Sequence, residues 1–226
     1  VRVINQQQTP NFLLKAGVKK DKLIYIPAFY IDLDIFRPLN PPIGGEKKYD
    51  LVFAARLEKN KGIYLLLEAV KFSISNFQFP IKLLIIGNGP LRRKLIEFIE
   101  KHNLKDNVFF SDWLETSEDV ASAYHSARIF INPSYNEGGP RVVLEAMACG
   151  LPVITTPVGL MLDIIKDGEN ALFVDWDPSK MADKVITLLK EEKMQQEFSV
   201  DGLELVKKFE RRGAIKNYAD KIKSLI

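Results

Sequence analysis

Residues 128–155 read RIFINPSYNEGGPRVVLEAMACGLPVIT, and they combine an apolar strand, a glycine turn, a helix and a second strand. The strands are expected at Arg128–Asn132 and Pro152–Thr155, where short runs of branched and aromatic residues occur. The helix is expected between them over Arg141–Cys149, because Gly150 suits a helix end. A strand, a helix and a second strand in this order are typical of a parallel sheet with helices packed against it.

The same alternation extends along the chain from about residue 50 to residue 174. Further strands are expected at Leu51–Ala55, Lys82–Ile86, Asn107–Phe110 and Ala171–Val174, and further helices at Gly62–Ser73, Pro90–Asn103, Glu118–Ser126 and Met161–Lys166. The pattern predicts an α/β fold with a Rossmann-like parallel sheet, helices on both faces and additional terminal helices. Ligands of such sheets lie beyond the carboxyl ends of the strands, so the turns after the strands are the places to search for function.

The two ends of the chain differ from this central part. Residues 1–40 are expected to hold a short helix ending near Gly17 and a strand at Leu23–Ile26, and residues 41–45 (PPIGG) look like a connection. After Pro178 the chain is expected to be helical. The last helix carries an apolar stripe at helical spacing, formed by Ile215, Tyr218, Ile222 and Leu225.

Composition excludes several classes of protein. The 226 residues are 46% hydrophobic and 27% charged with a net charge of +3, which excludes a disordered chain, a collagen, a disulfide scaffold and a basic nucleic-acid arm. The single cysteine, Cys149, fits a reducing compartment, and neither a membrane-spanning stretch nor a signal peptide is visible, so a cytoplasmic location is expected. The start at Val1 rather than Met suggests a fragment of a longer chain.

The turn before the predicted helix Arg141–Cys149 is the strongest candidate for a binding site. Gly138 and Gly139 free the backbone, and exposed amides at a helix start form an anion site. Two carboxylates, Glu137 and Glu145, flank this turn, and carboxylates accept hydrogen bonds from sugar hydroxyls. The alternative interpretation is a strand-to-helix turn with one solvated acid and one ion-paired acid.

A second candidate site follows the first strand of the central part, where residues 53–62 read FAARLEKNKG. Arg56 and Lys61 would lie at the carboxyl end of that strand, where both side chains could reach a phosphate. Taken alone, the two side chains fit better as surface cations paired with Glu58.

Other motifs argue against competing functions. Gly87-Asn88-Gly89 begins like a dinucleotide-binding turn, but Arg92 stands at the third glycine position, and the sequence contains no GxxxxGK[ST] loop. His102 and His125 have no partner at metal-ligand spacing, so no metal site is expected. Trp113 is expected in the core, with stacking on a nucleobase as the alternative.

Together these segments resemble the donor-binding domain of the GT-B glycosyltransferases of group 1, also called family 4. The hallmark of that family is a pair of acids with seven residues between them that runs into LEAMACGLPVI, as Glu137 and Glu145 do here. Similar family segments, in the same order, occur at residues 26–38 (hinge), 53–62, 86–90 and 159–170. The sequence departs from the family at Gly139-Pro140, where Phe-Gly is usual, and this change removes one amide donor.

The resemblance implies a domain organisation, because the family's proteins consist of two facing Rossmann-like domains. Residues 1–40 would be the end of the N-terminal domain with the hinge, and residues 41–210 the nucleotide-sugar-binding domain. Residues 211–226 would be a helix that packs on the missing N-terminal domain, or that forms a dimer.

The resemblance also implies roles for individual residues. Arg56 and Lys61 would stabilise the charge that develops on the departing nucleoside diphosphate, Glu137 would hold the sugar and Glu145 the ribose. The glycine turns and the start of the helix would complete the donor site through Gly87, Gly89, Gly138, Gly139, Arg141 and Val142. The family retains the anomeric configuration of the sugar and generally needs no metal or other cofactor.

The implied function is a hexosyltransferase that moves a sugar from a nucleoside-diphosphate sugar to a saccharide or lipid-linked acceptor, in polysaccharide or glycolipid biosynthesis. The fragment alone would be inactive without its acceptor domain, and a peripheral membrane contact would suit its mild basicity. No nucleic-acid partner is expected. Two alternatives remain: a nucleotide-sugar-binding module without catalysis, and a sugar-nucleotide epimerase of similar shape.

Overall fold

The chain is described from a computed structural model that covers residues 1–26, 29–39, 47–111 and 114–224. Parts of several sequence predictions lie outside these ranges, namely Pro27 of the hinge-like segment, the connection 41–45, Trp113 and Leu225 of the apolar stripe.

The strands and helices alternate along the central part of the chain. The strands are β1 (Arg2–Val3), β2 (Ile24–Tyr25), β3 (Tyr49–Ala54), β4 (Leu83–Ile86), β5 (Val108–Ser111), β6 (Ala127–Asn132), β7 (Val153–Thr155) and β8 (Leu172–Phe173). The α-helices are α1 (Gln8–Lys15), α2 (Ile63–Phe77), α3 (Arg92–Lys101), α4 (Ser117–His125), α5 (Arg141–Ala148), α6 (Met161–Ile164), α7 (Pro178–Lys190), α8 (Glu192–Val206) and α9 (Arg211–Lys223). Single turns of 3₁₀-helix occur at Lys20–Lys22, Lys59–Lys61 and Lys207–Phe209.

The last six of these strands form one parallel sheet in the order β5-β4-β3-β6-β7-β8. The sequence prediction of these strands is confirmed to within two residues at each end. The predicted helices between them are also present, so the expected Rossmann-like α/β architecture is confirmed.

Both faces of the sheet are covered, which explains why the strands are apolar at nearly every position. In β3, Leu51 and Phe53 face a core shared with α2, α3 and α7. Val52 and Ala54 face the opposite core, which contains residues of α4 and α5. Alternate residues of one strand therefore supply two separate cores.

The strand order creates a crevice between β3 and β6. From β3 the chain continues outward to β4 and β5, whereas β6, β7 and β8 extend the sheet in the other direction. Loops that follow the two central strands therefore diverge at the carboxyl edge, which is where open α/β sheets bind ligands. The crevice places residues 55–62 beside residues 133–140.

Two local features differ from the sequence prediction. Pro90 was expected in the first turn of a helix, but α3 begins at Arg92, and Pro90 lies in a turn that the Arg92 amide closes by donating to the carbonyl of Gly89 at 3.1 Å. Strand β1 was not predicted, because two residues are too few to show a period. It pairs in parallel with β2, at Arg2 with Ile24 and Val3 with Tyr25.

The apolar stripe of α9 remains largely uncovered by the described part of the chain. Ile215 and Ile222 are exposed, whereas the ring of Tyr218 lies beneath the guanidinium of Arg2 at 5.1 Å. The start of α9 is held by backbone hydrogen bonds from Ile31 to Phe209 and from Arg211 to Ile31. Within the described ranges, every helix is too short or too polar to cross a membrane.

Candidate functional site

The loops after β3 and β6 meet through a short ion pair. The Lys61 ammonium lies 2.6 Å from Oε1 of Glu137, and both side chains are mostly buried. The Tyr135 amide donates to the carbonyl of Asn60 at 2.8 Å, which joins the two backbones. Gly62 permits this approach, because it has a φ of +69° and a Cβ there would lie 2.0 Å from the Pro133 carbonyl oxygen. The sequence-predicted Lys61 and Glu137 are therefore brought together.

Several buried polar side chains next to Glu137 hold its loop through hydrogen bonds. Ser134 Oγ lies 3.0 Å from Glu137 Oε1 and 2.9 Å from Asn132 Oδ1. The Thr156 hydroxyl donates to the Ser134 carbonyl at 2.6 Å, and Asn132 Nδ2 donates to Thr155 Oγ1 at 3.1 Å. Such buried groups fix a loop when each has a partner, and here they hold the Glu137 carboxylate at the end of β6.

Glu145 lies on α5 with its carboxylate between two partners. Arg141 Nε lies 3.0 Å from Glu145 Oε1, and the hydroxyl of the buried Tyr124 lies 3.5 Å from Oε2. Burial raises the pKa of the Glu145 carboxyl above its ordinary value, against the opposing effects of Arg141 and the Tyr124 hydroxyl. Burial, with the neighbouring Glu145, also raises the pKa of Tyr124 well above its ordinary value.

Arg56 lies at the same edge but points outward. Its side chain is 69% exposed and its guanidinium lies 2.7 Å from Glu58. Of the two interpretations of the cations in this loop, the surface pairing with Glu58 therefore applies to Arg56, whereas Lys61 pairs with Glu137. Because exposed ion pairs contribute at most about 1 kcal/mol, the Arg56 guanidinium is readily released to another anion.

The glycines after β4 allow the loops after β3 and β4 to pack tightly. Gly87 has a φ of +131°, and a Cβ there would lie 2.1 Å from the Ala55 carbonyl oxygen. A Cβ at Gly89 would lie 2.7 Å from the Leu57 amide nitrogen, and Leu57 donates to the Asn88 carbonyl at 3.0 Å. Gly87 and Gly89 thus shape the wall beside Arg56, and their contact with a donor stays a prediction.

The glycine turn before α5 is packed by three other segments. A Cβ at Gly138 would lie 2.8 Å from Ile4, and one at Gly139 would lie 2.2 Å from the ring of Phe29. Gly159 has a φ of +52°, and a Cβ there would lie 2.3 Å from the Glu137 carbonyl oxygen. These close approaches give the glycines a packing role in addition to the predicted role in anion binding.

The start of α5 lacks a side-chain cap, since its N-cap residue Pro140 has no side-chain acceptor. The Val143 amide donates to the Pro140 carbonyl at 3.0 Å. The backbone amides of Arg141 and Val142, at the positive end of the helix dipole, therefore lie where an anion would be stabilised.

A cavity of about 290 Å³ connects these parts on the α4–α5 side of the sheet. Its wall combines Arg56 and Gly87 with Val142 and Glu145 of α5, so it brings four of the predicted residues together. Much of the remaining lining is apolar, including Ile86, Leu114 and Val120, and the Tyr124 side chain completes it. Apolar walls with a few polar groups are typical of pockets for small organic ligands.

Sequence reasoning missed several contributors to this site. Tyr124 and Ser134 contact the two acids, but one tyrosine on a helix has the spacing of any core aromatic, and one serine in a loop has no special pattern. The motif 132–137 (NPSYNE) contains polar residues at the end of an apolar strand, and this is the signal that could have identified Ser134. Among the residues that the structure describes, no three His, Cys, Asp or Glu side chains are grouped as metal ligands.

Comparison with known sequences finds related proteins over most of the chain. The family profile described as Glycosyl transferases group 1 matches residues 40–204. An uncharacterised glycosyltransferase of Methanocaldococcus jannaschii is 31% identical over 159 residues, which cover 70% of this chain and 43% of that protein. The poly(glycerol-phosphate) alpha-glucosyltransferase of Bacillus subtilis is 28% identical over 229 residues, covering 99% of this chain and 32% of that protein.

Comparison with solved structures agrees with the sequence comparison. Sucrose-phosphate synthase from Thermosynechococcus elongatus superposes with a TM-score of 0.85 at 26% sequence identity, covering 100% of this chain and 58% of that chain. The expected fold of the GT-B type is confirmed. The chain spans less than two thirds of each of these three proteins.

Proposed function

Because the chain belongs to the group 1 glycosyl transferases, we propose that it forms the donor-binding half of a retaining hexosyltransferase. The reaction would move a sugar from a nucleoside-diphosphate sugar to a saccharide or lipid-linked acceptor. The observation that carries the proposal is the meeting of Lys61 with Glu137 at the crevice between β3 and β6, next to a cavity that contains Glu145.

The nucleoside of the donor would occupy the cavity of about 290 Å³. Its apolar lining suits a nucleobase, and the Glu145 carboxylate in its wall would accept hydrogen bonds from ribose hydroxyls. The Arg141 side chain that now contacts Glu145 is about half exposed, so it can turn to solvent or toward a phosphate when the ribose binds.

The diphosphate would lie between Lys61, Arg56 and the first amides of α5. When the bond between the anomeric carbon and the phosphate oxygen breaks, the electron pair remains on the departing diphosphate. Lys61 and Arg56 would stabilise this negative charge in the transition state, from positions set before the reaction begins. Both cations are paired with carboxylates in the unliganded protein. Either cation would be released by a rotation of its side chain, without refolding of the loop.

The transferred sugar would lie near Glu137, with the carboxylate accepting from its hydroxyls. Ser134 Oγ already lies at hydrogen-bond distance from Glu137, so the carboxylate stays oriented when Lys61 turns toward the diphosphate. The retaining outcome and the absence of a cofactor requirement are proposed from the family resemblance.

The domain organisation is part of the same proposal. Residues 1–40 would end an N-terminal domain, residues 41–210 would bind the donor, and residues 211–226 would pack on the N-terminal domain or on a second copy. The exposed Ile215 and Ile222 on α9 support such a contact. A cytoplasmic enzyme with peripheral membrane contact would fit a lipid-linked acceptor in polysaccharide or glycolipid synthesis.

Calorimetric titration with UDP, GDP and ADP tests the donor site in this chain. We expect one of the three to bind, and we expect Glu145→Ala to weaken that binding about tenfold, as for the loss of a hydrogen bond to a charged group. Glu197→Ala is the matched control, since Glu197 is an exposed acid on α8 paired with Lys193. Absence of binding at millimolar concentration for all three nucleotides would refute the donor site.

A second assay tests the epimerase alternative. UDP-glucose incubated without an acceptor would yield an epimerised sugar if the protein were an epimerase. Intact donor, together with nucleotide binding that depends on Glu145, would exclude the epimerase.

A further inference from the structure

Two aromatic side chains are exposed at the carboxyl edge of the sheet. Tyr135 follows β6 and is 48% exposed, and Trp176 follows β8 and is 44% exposed. Their rings are nearly parallel, with an angle of 16° between the planes and 6.3 Å between the centroids. We refer to Tyr135 and Trp176 as the aromatic pair. Large aromatic side chains that remain exposed side by side typically mark a contact surface.

Hydrogen bonds hold the Trp176 side chain and the Tyr135 backbone in place. The Trp176 indole N–H donates to the Ser134 carbonyl at 3.1 Å, and that carbonyl also accepts from Thr156 Oγ1 at 2.6 Å. The backbone of Tyr135 is held by its amide hydrogen bond to the Asn60 carbonyl. Trp176 would therefore lose little conformational freedom when a ligand packs on it, and Tyr135 lies against its ring. A preorganised surface of this kind favours binding.

Ser134 connects the aromatic pair to the proposed donor site. Its carbonyl holds Trp176, and its hydroxyl lies 3.0 Å from Glu137 Oε1. The nucleotide cavity lies on the α4–α5 side of the sheet, with Tyr124 and Glu145 in its wall. Trp176 instead leads into α7, which packs with α2 on the opposite face. The aromatic pair is thus linked to Glu137 through Ser134, and the chain after Trp176 continues to the face of the sheet opposite the cavity.

We propose that the aromatic pair binds a pyranose ring of a saccharide acceptor, an inference that rests on the proposed donor site. A pyranose presents apolar C–H groups on its faces, and these pack on the electron-rich face of an aromatic ring. Its hydroxyl groups point outward around the ring edge, and the exposed Asp175 and Asn136, neighbours of the two rings in the sequence, carry oxygens that can accept from them. Asp175 is also paired with Lys180 at 3.0 Å. A donor that runs from the cavity to Glu137 would place its sugar between the nucleotide and this acceptor ring.

The experiment follows the two tryptophan indole N–H signals of the ¹⁵N-labelled chain by NMR during titration with maltotriose. The sequence contains two tryptophans, so Trp176→Phe assigns the Trp176 signal. We expect that signal to shift saturably. We also expect Tyr135→Ala to raise the maltotriose Kd about three- to tenfold, the range for loss of one aromatic contact. Phe77→Ala is the matched control, because Phe77 is 45% exposed at the end of α2, away from the site.

The outcomes distinguish the acceptor site from the donor site. An unchanged Trp176 signal at 100 mM maltotriose and 100 mM cellotriose would overturn the proposal, as would equal effects of Tyr135→Ala and Phe77→Ala. Titration of the same samples with UDP, GDP and ADP reports on the donor site separately. Nucleotide binding without saccharide binding refutes the aromatic site alone, whereas saccharide binding without nucleotide binding refutes its assignment to an acceptor.

Discussion

The Nζ of Lys61 lies 2.6 Å from Oε1 of Glu137, although 76 positions separate the two residues in the sequence. Parallel pairing of β3 with β6 places the two loops side by side, and the 3₁₀ turn Lys59–Lys61 directs the lysine into the crevice. The pair keeps a cation and a carboxylate oriented at one point of the protein. The nucleoside diphosphate and the sugar of a donor would be expected to meet at that point.

Replacing Lys61 tests its proposed role in holding the diphosphate. We expect Lys61→Gln to raise the Kd for the nucleoside diphosphate about 10- to 100-fold, because a hydrogen bond between charged groups contributes about 1.5–3 kcal/mol. Titration calorimetry measures the change. Lys59→Gln is the control, since Lys59 is an exposed residue of the same 3₁₀ turn. Equal losses for the two variants would show that only the net charge of the loop matters.

Gly159 positions the Glu137 loop, so its replacement is expected to affect both stability and binding. A Cβ there would lie 2.3 Å from the Glu137 carbonyl oxygen and 2.4 Å from that of Gly138, and φ is +52°. We expect Gly159→Ala to lower the free energy of unfolding by about 2–4 kcal/mol and to weaken nucleotide binding. Urea denaturation and calorimetry measure the two effects.

Gly168→Ala separates backbone strain from the steric contact at Gly159. Gly168 has a φ of +80°, but nothing lies within 4 Å of a Cβ there. We expect this variant to lose about 1 kcal/mol of stability and to bind nucleotide normally. If Gly159→Ala and Gly168→Ala lost the same stability and bound nucleotide equally well, a small shift of the backbone at Glu137 and Gly138 would have relieved the steric contact.

The fold was predictable because its signals are local. Each strand of the large sheet is a short apolar run, and turn residues such as Gly150 and Gly159 mark the boundaries between elements. The proximity of Lys61 to the Glu137 loop was also predictable, since carboxyl ends of parallel strands share one edge of the sheet. The ion pair between Lys61 and Glu137 was not predictable. Arg56 lies two positions and Lys61 three positions from Glu58 in the sequence, and only the 3₁₀ turn decides which cation faces inward.

Contacts between distant elements explain what the sequence could not reveal. Tyr124 contacts Glu145 because α4 and α5 pack on the same face of the sheet. Trp176 lies against Ser134 because the chain after β8 turns back across the ends of the strands. No periodicity encodes either contact, so both require the three-dimensional structure.

The raised pKa of Glu145 predicts a specific pH dependence. Burial raises this pKa above its ordinary value of 4.5, so the folded protein binds the proton more tightly than the unfolded chain does. The resulting stabilisation is fully present below pH 4.5 and is lost as the pH rises through the folded pKa. In urea denaturation between pH 4 and 8, the stability of the wild type relative to Glu145→Gln is therefore expected to fall as the pH increases.

Tyr124→Phe provides an independent check of that pH dependence. The Tyr124 hydroxyl lowers the pKa of Glu145 by its hydrogen bond. Its removal is therefore expected to raise that pKa further, so that the stabilisation is lost at a higher pH. The hydrogen bond is long at 3.5 Å, and we expect a loss of stability of less than about 1 kcal/mol at neutral pH. If the stability of the wild type relative to Glu145→Gln rose with pH instead, burial would not be the dominant influence on the Glu145 carboxyl.

The rate at which Cys149 is chemically modified reports whether nucleotide binding stabilises the fold. It is the one cysteine of the sequence, it follows α5, and burial raises the pKa of its thiol to about 12. Because the thiolate is the reactive form, iodoacetamide at pH 8 is expected to modify Cys149 only in unfolded molecules. A nucleotide present at 100 times its Kd would then slow the modification about 100-fold, since it binds the folded state alone. Mass spectrometry measures the rate, and Lys61→Gln at the same nucleotide concentration is expected to show much less protection. Equal rates with and without bound nucleotide would instead mean that the end of α5 opens locally, without disturbing the site at its start.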